Sequence, residues 1–238
     1  MSTYVYGIAR SSHPSLPEKA DGIGDPPRPV RVVRQGQLAA LVSDAPDNLR
    51  PKRRDLLAHQ NVLRQAGEAG SVLPLRFGGV SPDDETLAAV LADREEHYLE
   101  RLGALDGKVE YNVKATHDEE SVLHRVLADD PELRSLAEAN RAAGGGTHEQ
   151  KIQLGERIAA AVQQREARDG DLVRATLEGV CEEASAGPQS VGWLANLSFL
   201  VNRERSADFV NAVDALRVDQ PHLVLTVTGP LPPYSFVE

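Results

Sequence analysis

The alternation of apolar and polar positions divides the chain into short strands separated by longer helices. Residues 4–9 are aromatic and β-branched and predict a first strand. Residues 11–29 hold most of the early prolines and predict an irregular loop. Residues 30–34 and 38–42 flank Gln35-Gly36-Gln37, the pattern of a β-hairpin. From Pro51 to about Ala69 the period lengthens to that of a helix, with Leu56, Leu57, Leu63 and Ala66 on one face and Gly67 and Gly70 as the stop. Residues 72–78 predict a strand at an edge or bulge, because Pro74 lacks a ladder donor. Ser81-Pro82-Asp83-Asp84 predicts a helix start, with Ser81 as the cap and acids facing the dipole. That helix carries Leu87, Leu91, Tyr98 and Leu102 inward and stops at Gly103.

In the second half, residues 109–114 alternate cleanly, as a strand with one wet face does. Thr116 and Glu119 have capping-box spacing for the next helix, and residues 131–141 continue helically. Gly144-Gly145-Gly146 is a break. Residues 147–186 then predict a long helix whose stripe of Ile152, Ile158, Val162, Leu172, Leu177 and Val180 is interrupted by polar residues, with a kink near Gly170. Residues 191–202, including Trp193, predict a long strand. Ser206 predicts the cap of a helix bearing Phe209, Val213 and Leu216, and residues 223–228 predict the last strand. Residues 229–236 predict an extended tail. The fold class is α+β with two domains: an N-terminal α+β domain of residues 1–104 and a modified ferredoxin-like domain of residues 105–228. The second carries a long helical insertion, with one strand missing or displaced. Residues 229–238 form a Pro-rich C-terminal tail.

At 238 residues the chain can bury a sufficient core without disulfide or metal staples. Aromatics make up only 4%, so Leu, Val, Ile and Ala must carry that core. A net charge of −10 argues against a nucleic-acid surface. The single cysteine, Cys181, excludes an intramolecular disulfide and a cysteine-based zinc site. Its apolar and acidic neighbours predict a buried, inert thiol. No secretory signal and no apolar run of membrane-spanning length is visible, so a soluble cytoplasmic protein is expected.

The search for chemistry yields little. Asp55 and His59, at i, i+4, could form an acid–base pair but have no nucleophile motif beside them; a hydrogen-bonded structural histidine is the expectation. His117, Glu120 and His124 recur at helical spacing, yet His-Glu-x-x-His is absent and no fourth ligand suggests itself. Asp83-Asp84-Glu85 is explained by the helix dipole. Neither Gly22-Ile23-Gly24 nor Gly144-Gly145-Gly146 has the context of a phosphate loop. No catalytic residue, metal or cofactor is expected.

Three stretches are distinctive without being catalytic: Tyr4-Val5-Tyr6-Gly7-Ile8, Val72-Leu73-Pro74-Leu75-Arg76-Phe77-Gly78 and Gly229-Pro230-Leu231-Pro232-Pro233-Tyr234-Ser235-Phe236. In this order and spacing, with the passage from Phe199 through Arg205 to Phe209, they resemble the gas vesicle protein F/L family over effectively the whole chain. Gly79 stands where a threonine is common in that family, and Leu231 where tryptophan is. The resemblance implies a non-enzymatic accessory protein of gas vesicle assembly with two α+β domains, the second modified ferredoxin-like. It also implies contact with the small hydrophobic shell protein (GvpA-type) and with other gas vesicle accessory proteins, in the cytoplasm and at the inner face of the vesicle, without nucleic acid or membrane. The rival reading is a non-catalytic ligand-sensing or regulatory protein using a ferredoxin-like platform, against which Tyr111 and Trp193 are too few aromatics for a base-stacking sheet. In the tail, Pro232, Pro233, Tyr234 and Phe236 are the candidate protein-interface residues. Tyr234 and Phe236 either staple the tail across the protein's own domains or contribute to the shell-protein surface.

Overall fold

The computed structural model describes residues 2–188 and 192–237. Contacts divide the chain into two compact units: Met1–Glu110 with Asn202–Glu204 and Gly229–Glu238, and Tyr111–Val201 with Arg205–Thr228.

In the first unit, β1 (Thr3–Arg10), β2 (Arg31–Gln35), β3 (Leu38–Asp44), β4 (Val72–Pro74) and β5 (Val80–Ser81) form one sheet in the order β2-β3-β1-β4, with β5 also paired to β1. β1 is buried from Thr3 to Ala9, which its unbroken apolar and aromatic run requires. Its pairing with β3 slips between Val5 and Gly7, a bulge that accommodates one extra residue. Gly36 turns the β2–β3 hairpin at φ 56°, where a Cβ would also meet the Glu95 carboxylate. Pro74 sits in the edge strand β4, where its missing N–H costs no ladder bond.

Three helices complete this unit: α1 (Arg53–Ala69), α2 (Asp84–Asp93) and α3 (Glu95–Ala104). The predicted stripe of α1 needs correction. Leu57 is 54% exposed, and the buried face is Asp55, His59, Val62, Leu63 and Ala66. Two polar residues take core positions because their hydrogen bonds are met inside. The single helix predicted after Ser81 is two helices that meet at Arg94, and the first is capped by Asp83, whose carboxylate accepts from Thr86 N at 2.7 Å. Leu87, Leu91 and Leu102 are nevertheless buried as expected.

In the second unit, β6 (Lys108–His117), β7 (Glu183–Ala186), β8 (Ala195–Asn202) and β9 (Leu223–Leu231) form a sheet in the order β7-β8-β6-β9. Its helices are α4 (Glu119–Asp129), α5 (Pro131–Ala142), α6 (His148–Glu178) and α7 (Ser206–Asp219). The element order is therefore β-α-β-β-α-β with three helices in the first crossover. The strand taken as missing is β7, in a stretch whose polar, alanine-rich sequence reads as helix. Thr116 lies within β6, and Asp118 caps α4 instead, accepting from Ser121 N at 2.9 Å. Helix α7 begins at Ser206 without a side-chain cap.

Helix α6 starts at a Thr147–Gln150 capping box and runs without a break through Gly170. The glycine is there for close approach: a Cβ would lie 2.8 Å from the Leu194 carbonyl oxygen. Leu154, Ile158 and Val162 pack on Val122, Val126 and Leu133 of α4 and α5, while Ile152 is 48% exposed. Trp193 precedes β8 and is exposed, with Lys114 Nζ 4.1 Å above its ring. Val191, predicted within that strand, lies outside the described residues, as does Glu238 of the tail.

Candidate functional site

Asp55 and His59 enter a buried network in the first unit. His59 Nε2 donates to the Leu75 carbonyl at 3.0 Å, so its Nδ1 is bare and accepts from the Tyr4 hydroxyl at 2.8 Å. Burial lowers the His59 pKa, against a smaller opposing effect of the Leu75 bond, and burial likewise raises that of Tyr4. Asp55 accepts from Gly24 N at 3.0 Å, and Tyr6 bridges Ser43 and Ile23 N at 2.9 Å each. Every ring and carboxylate here is occupied by the protein's own groups. The network holds β1, α1 and the loop before β2 in register and leaves no reacting atom exposed.

The tail adds to the same unit. β9 continues through Pro230 to Leu231, so the extended piece begins later than predicted. Tyr234–Phe236 is a 3-10 turn, which corrects the expectation that Tyr234 and Phe236 share one side of an extended chain. Phe236 is 3% exposed, and its carbonyl accepts from the Arg101 guanidinium. Ser235 donates from both N and Oγ to the buried Glu110 carboxylate at 2.8 Å each. Tyr234 packs on the Tyr4–Tyr6 core cluster, and its hydroxyl is pushed up to about 12 by burial and then by the Glu110 charge. Pro233 is buried and Pro232 half-buried. These prolines, with Leu231, Val72, Leu105 and Val109, line a groove of about 460 Å³ that also receives Arg64, Lys108 and Arg203.

The second unit assembles a set that the sequence reading missed. His117 ends β6 and is not on a helix, so it is not aligned with Glu120 and His124, whose side chains are 88% and 79% exposed. It meets Asp169 of α6 and His222, the residue before β9. Both imidazole Nε2 atoms lie 2.8 Å from the same oxygen, Asp169 Oδ2. Arg165 Nε is 3.0 Å from that oxygen, and Arg165 Nη1 is 2.8 Å from Asp129. Burial works to raise the Asp169 pKa, but hydrogen bonds from Arg165, His117 and His222 outweigh it and the net shift is downward. Burial lowers that of His222. No local spacing signals this cluster, because its members are more than fifty residues apart and join only through the fold.

Of the other residues singled out, Asp84 binds Arg31 at 2.7 Å, and Arg31 also reaches Asp44 at 3.1 Å. Cys181 is half-buried rather than buried, and burial followed by Glu178 and Glu182 raises its thiol, so it stays protonated. Among the described residues no helix is long and apolar enough to cross a membrane.

Comparison with known proteins places these features. Residues 2–238 match the family model "Gas vesicle synthesis protein GvpL/GvpF". The chain is 71% identical over 238 residues to gas vesicle protein F of Streptomyces sp. (strain CB03234), covering 100% of both chains. The crystal structure of gas vesicle protein GvpF from Microcystis aeruginosa superposes with a TM-score of 0.72 at 26% identity, over 100% of this chain and 99% of that one. The GvpF structure from Anabaena sp. PCC7120 shares the fold, with a TM-score of 0.77 at 23% identity over 100% and 98% of the two chains.

Proposed function

We propose, from the premise that this chain belongs to the gas vesicle synthesis protein GvpL/GvpF family, that it is a non-enzymatic accessory protein of gas vesicle assembly that binds the small hydrophobic shell protein. The family match over the whole chain carries this reading. A subunit that polymerises into a hydrophobic wall must be kept from premature edge-to-edge association, and an acidic partner of net charge −10 suits that task. The partner set extends to other accessory proteins of the vesicle, and the location is the cytoplasm and the inner face of the shell. The division into domains of 1–104 and 105–228 with a tail of 229–238, and the modified ferredoxin-like character of the second, belong to the same reading. The β-α-β-β-α-β order with sheet order β7-β8-β6-β9 supports the latter.

For the contact surface we take the groove walled by Leu231, Pro232 and Pro233, with the next residues of the tail, Tyr234 packed on the core and Phe236 buried, as its anchors. A concavity of mixed apolar and charged lining beside rigid prolines has little entropy of its own to lose on binding. Co-expression of tagged chain with the shell protein tests the reading. The shell protein should co-purify, and Pro232→Glu combined with Leu231→Glu should abolish co-purification while leaving the melting temperature unchanged. Co-purification undiminished in the double variant removes the groove. A deletion strain with a full yield of buoyant vesicles and no related gene to compensate removes the assembly role itself.

A further inference from the structure

We propose that His117, Asp169 and His222 form a binding site for a transition-metal dication of the zinc class. Each residue offers one ligand atom, these atoms lie within 4.8 Å of one another, and it is the one such group among the described residues. The three side chains are 7%, 2% and 3% exposed, so the donors are already desolvated and held from three separate elements. Two imidazole nitrogens and one carboxylate oxygen are the donor set that suits Zn²⁺, and three protein ligands leave one coordination position open.

Without a cation the hydrogen bonds here conflict at one imidazole, that of His222. Both imidazole Nε2 atoms crowd the single oxygen Asp169 Oδ2 at 2.8 Å, while Arg165 Nε lies 3.0 Å from each of the two carboxylate oxygens. His222 Nε2 is also 3.3 Å from Arg165 Nη2. Protonated, that nitrogen opposes the guanidinium; bare, it opposes the carboxylate at 2.8 Å. A cation removes the conflict, because all three ligand atoms then present lone pairs to one centre. The second observation is His117 Nδ1, which is buried and has no hydrogen-bond partner. Neither tautomer is locked by a partner at Nδ1 among the described residues, so the ring can present a bare Nε2, with Nδ1–H then left unpaired. Charge permits the ion: with neutral imidazoles, Asp129, Asp169 and Arg165 leave the group at minus one. A bound ion would pin α6 to the end of β6 and the start of β9. That makes it a staple of the second unit.

The test uses tag-free, full-length chain stripped with a chelator, then titrated with Zn²⁺ by calorimetry. One ion per chain is expected, and the melting temperature should rise by roughly 5 °C at a hundredfold excess over the dissociation constant. His124→Ala, at an exposed imidazole, should leave the affinity unchanged, whereas His117→Ala and His222→Ala should each weaken it at least a hundredfold. Absence of stoichiometric binding, or binding equally weakened by the His124 variant, overturns the site. Should the buried variants fail to fold, Co²⁺ in the wild-type chain decides. An intense tetrahedral visible band supports the site; a weak octahedral spectrum or none overturns it.

Discussion

Replacing Phe236 with alanine tests whether the tail is a structural part of the first unit. Phe236 keeps 3% of its surface, so nearly a whole aromatic side chain is withdrawn from water. At about 25 cal/mol per Å² over roughly 150–200 Å², burial contributes on the order of 4–5 kcal/mol. Large-to-small changes at such sites cost about 3–5 kcal/mol. The position near the chain end sets a ceiling, because a weakened tail can detach while the sheet stays folded. Detachment would uncover the Glu110 carboxylate from the two Ser235 donors and release the Arg101 contact, so the docked tail is worth more than its one phenyl ring. We expect a loss of about 3 kcal/mol in urea unfolding, read as a lower midpoint at unchanged slope. Hydrogen exchange should show faster exchange at Ser235 N, whose proton is held by Glu110. A loss below about 1 kcal/mol with undiminished protection at Ser235 would mean that the ring does not anchor the tail, and the wall of the proposed groove would have no support.

Three further outcomes follow from named contacts. Tyr4→Phe removes the donor to His59 Nδ1 and should cost about 1–3 kcal/mol, since a buried acceptor is left unpaired; a neutral result would mean that the Tyr4–His59 bond contributes nothing. His59 has a folded pKa below its unfolded value near 6.5. Its contribution is therefore complete above about pH 6.5 and is lost as the pH falls toward the folded pKa, where the unfolded chain binds the extra proton. Midpoints measured between pH 7.5 and 5.5 should fall more steeply for wild type than for His59→Gln, and equal slopes would refute the assignment. Gly170→Ala sets a helix-propensity gain of about 1 kcal/mol against an overpacking cost of roughly 1–3 kcal/mol, because the new Cβ meets the Leu194 carbonyl at 2.8 Å. The expected net is a small loss, and a stabilised variant would show that this approach can relax freely.

What the sequence made legible follows from where its signals are local. Period, turn residues and helix stops located the β2–β3 hairpin, the edge position of Pro74 and the buried faces of α2, α3 and α7. Three motifs spread over the chain were enough to identify the family. Errors arose where tertiary contacts override the local pattern. Asp55 and His59 hold core positions in α1 that a hydrophobic count assigns to Leu56 and Leu57, because their partners are Gly24, Tyr4 and Leu75. Gly170 reads as a helix breaker, yet the helix continues because another segment's backbone needs the space. β7 has almost no apolar alternation, and its pairing with β8 makes it a strand. The histidine pair was sought at helical spacing, whereas the fold joins His117 to a residue more than a hundred positions away.

Much of the buried polar network of the first unit is closed, although His13 Nε2 and Arg101 Nε there, like His117 Nδ1 in the second, have no partner among the described residues. In the first unit, the His59 ring, the Tyr6 hydroxyl and the Asp55 and Glu110 carboxylates each have complementary partners, donor against acceptor. Such closed networks specify which segments lie together, and any partner from outside would have to break a bond already made. Neither catalysis nor ligand binding at those atoms gains anything. At Asp169 the partners compete: both imidazole Nε2 atoms lie 2.8 Å from Oδ2, and His222 Nε2 also faces Arg165 Nη2 at 3.3 Å. Desolvated groups whose demands conflict cost stability unless something offsets them. The proposed cation would offset that cost, because both Nε2 atoms and Asp169 Oδ2 would then present lone pairs to one centre.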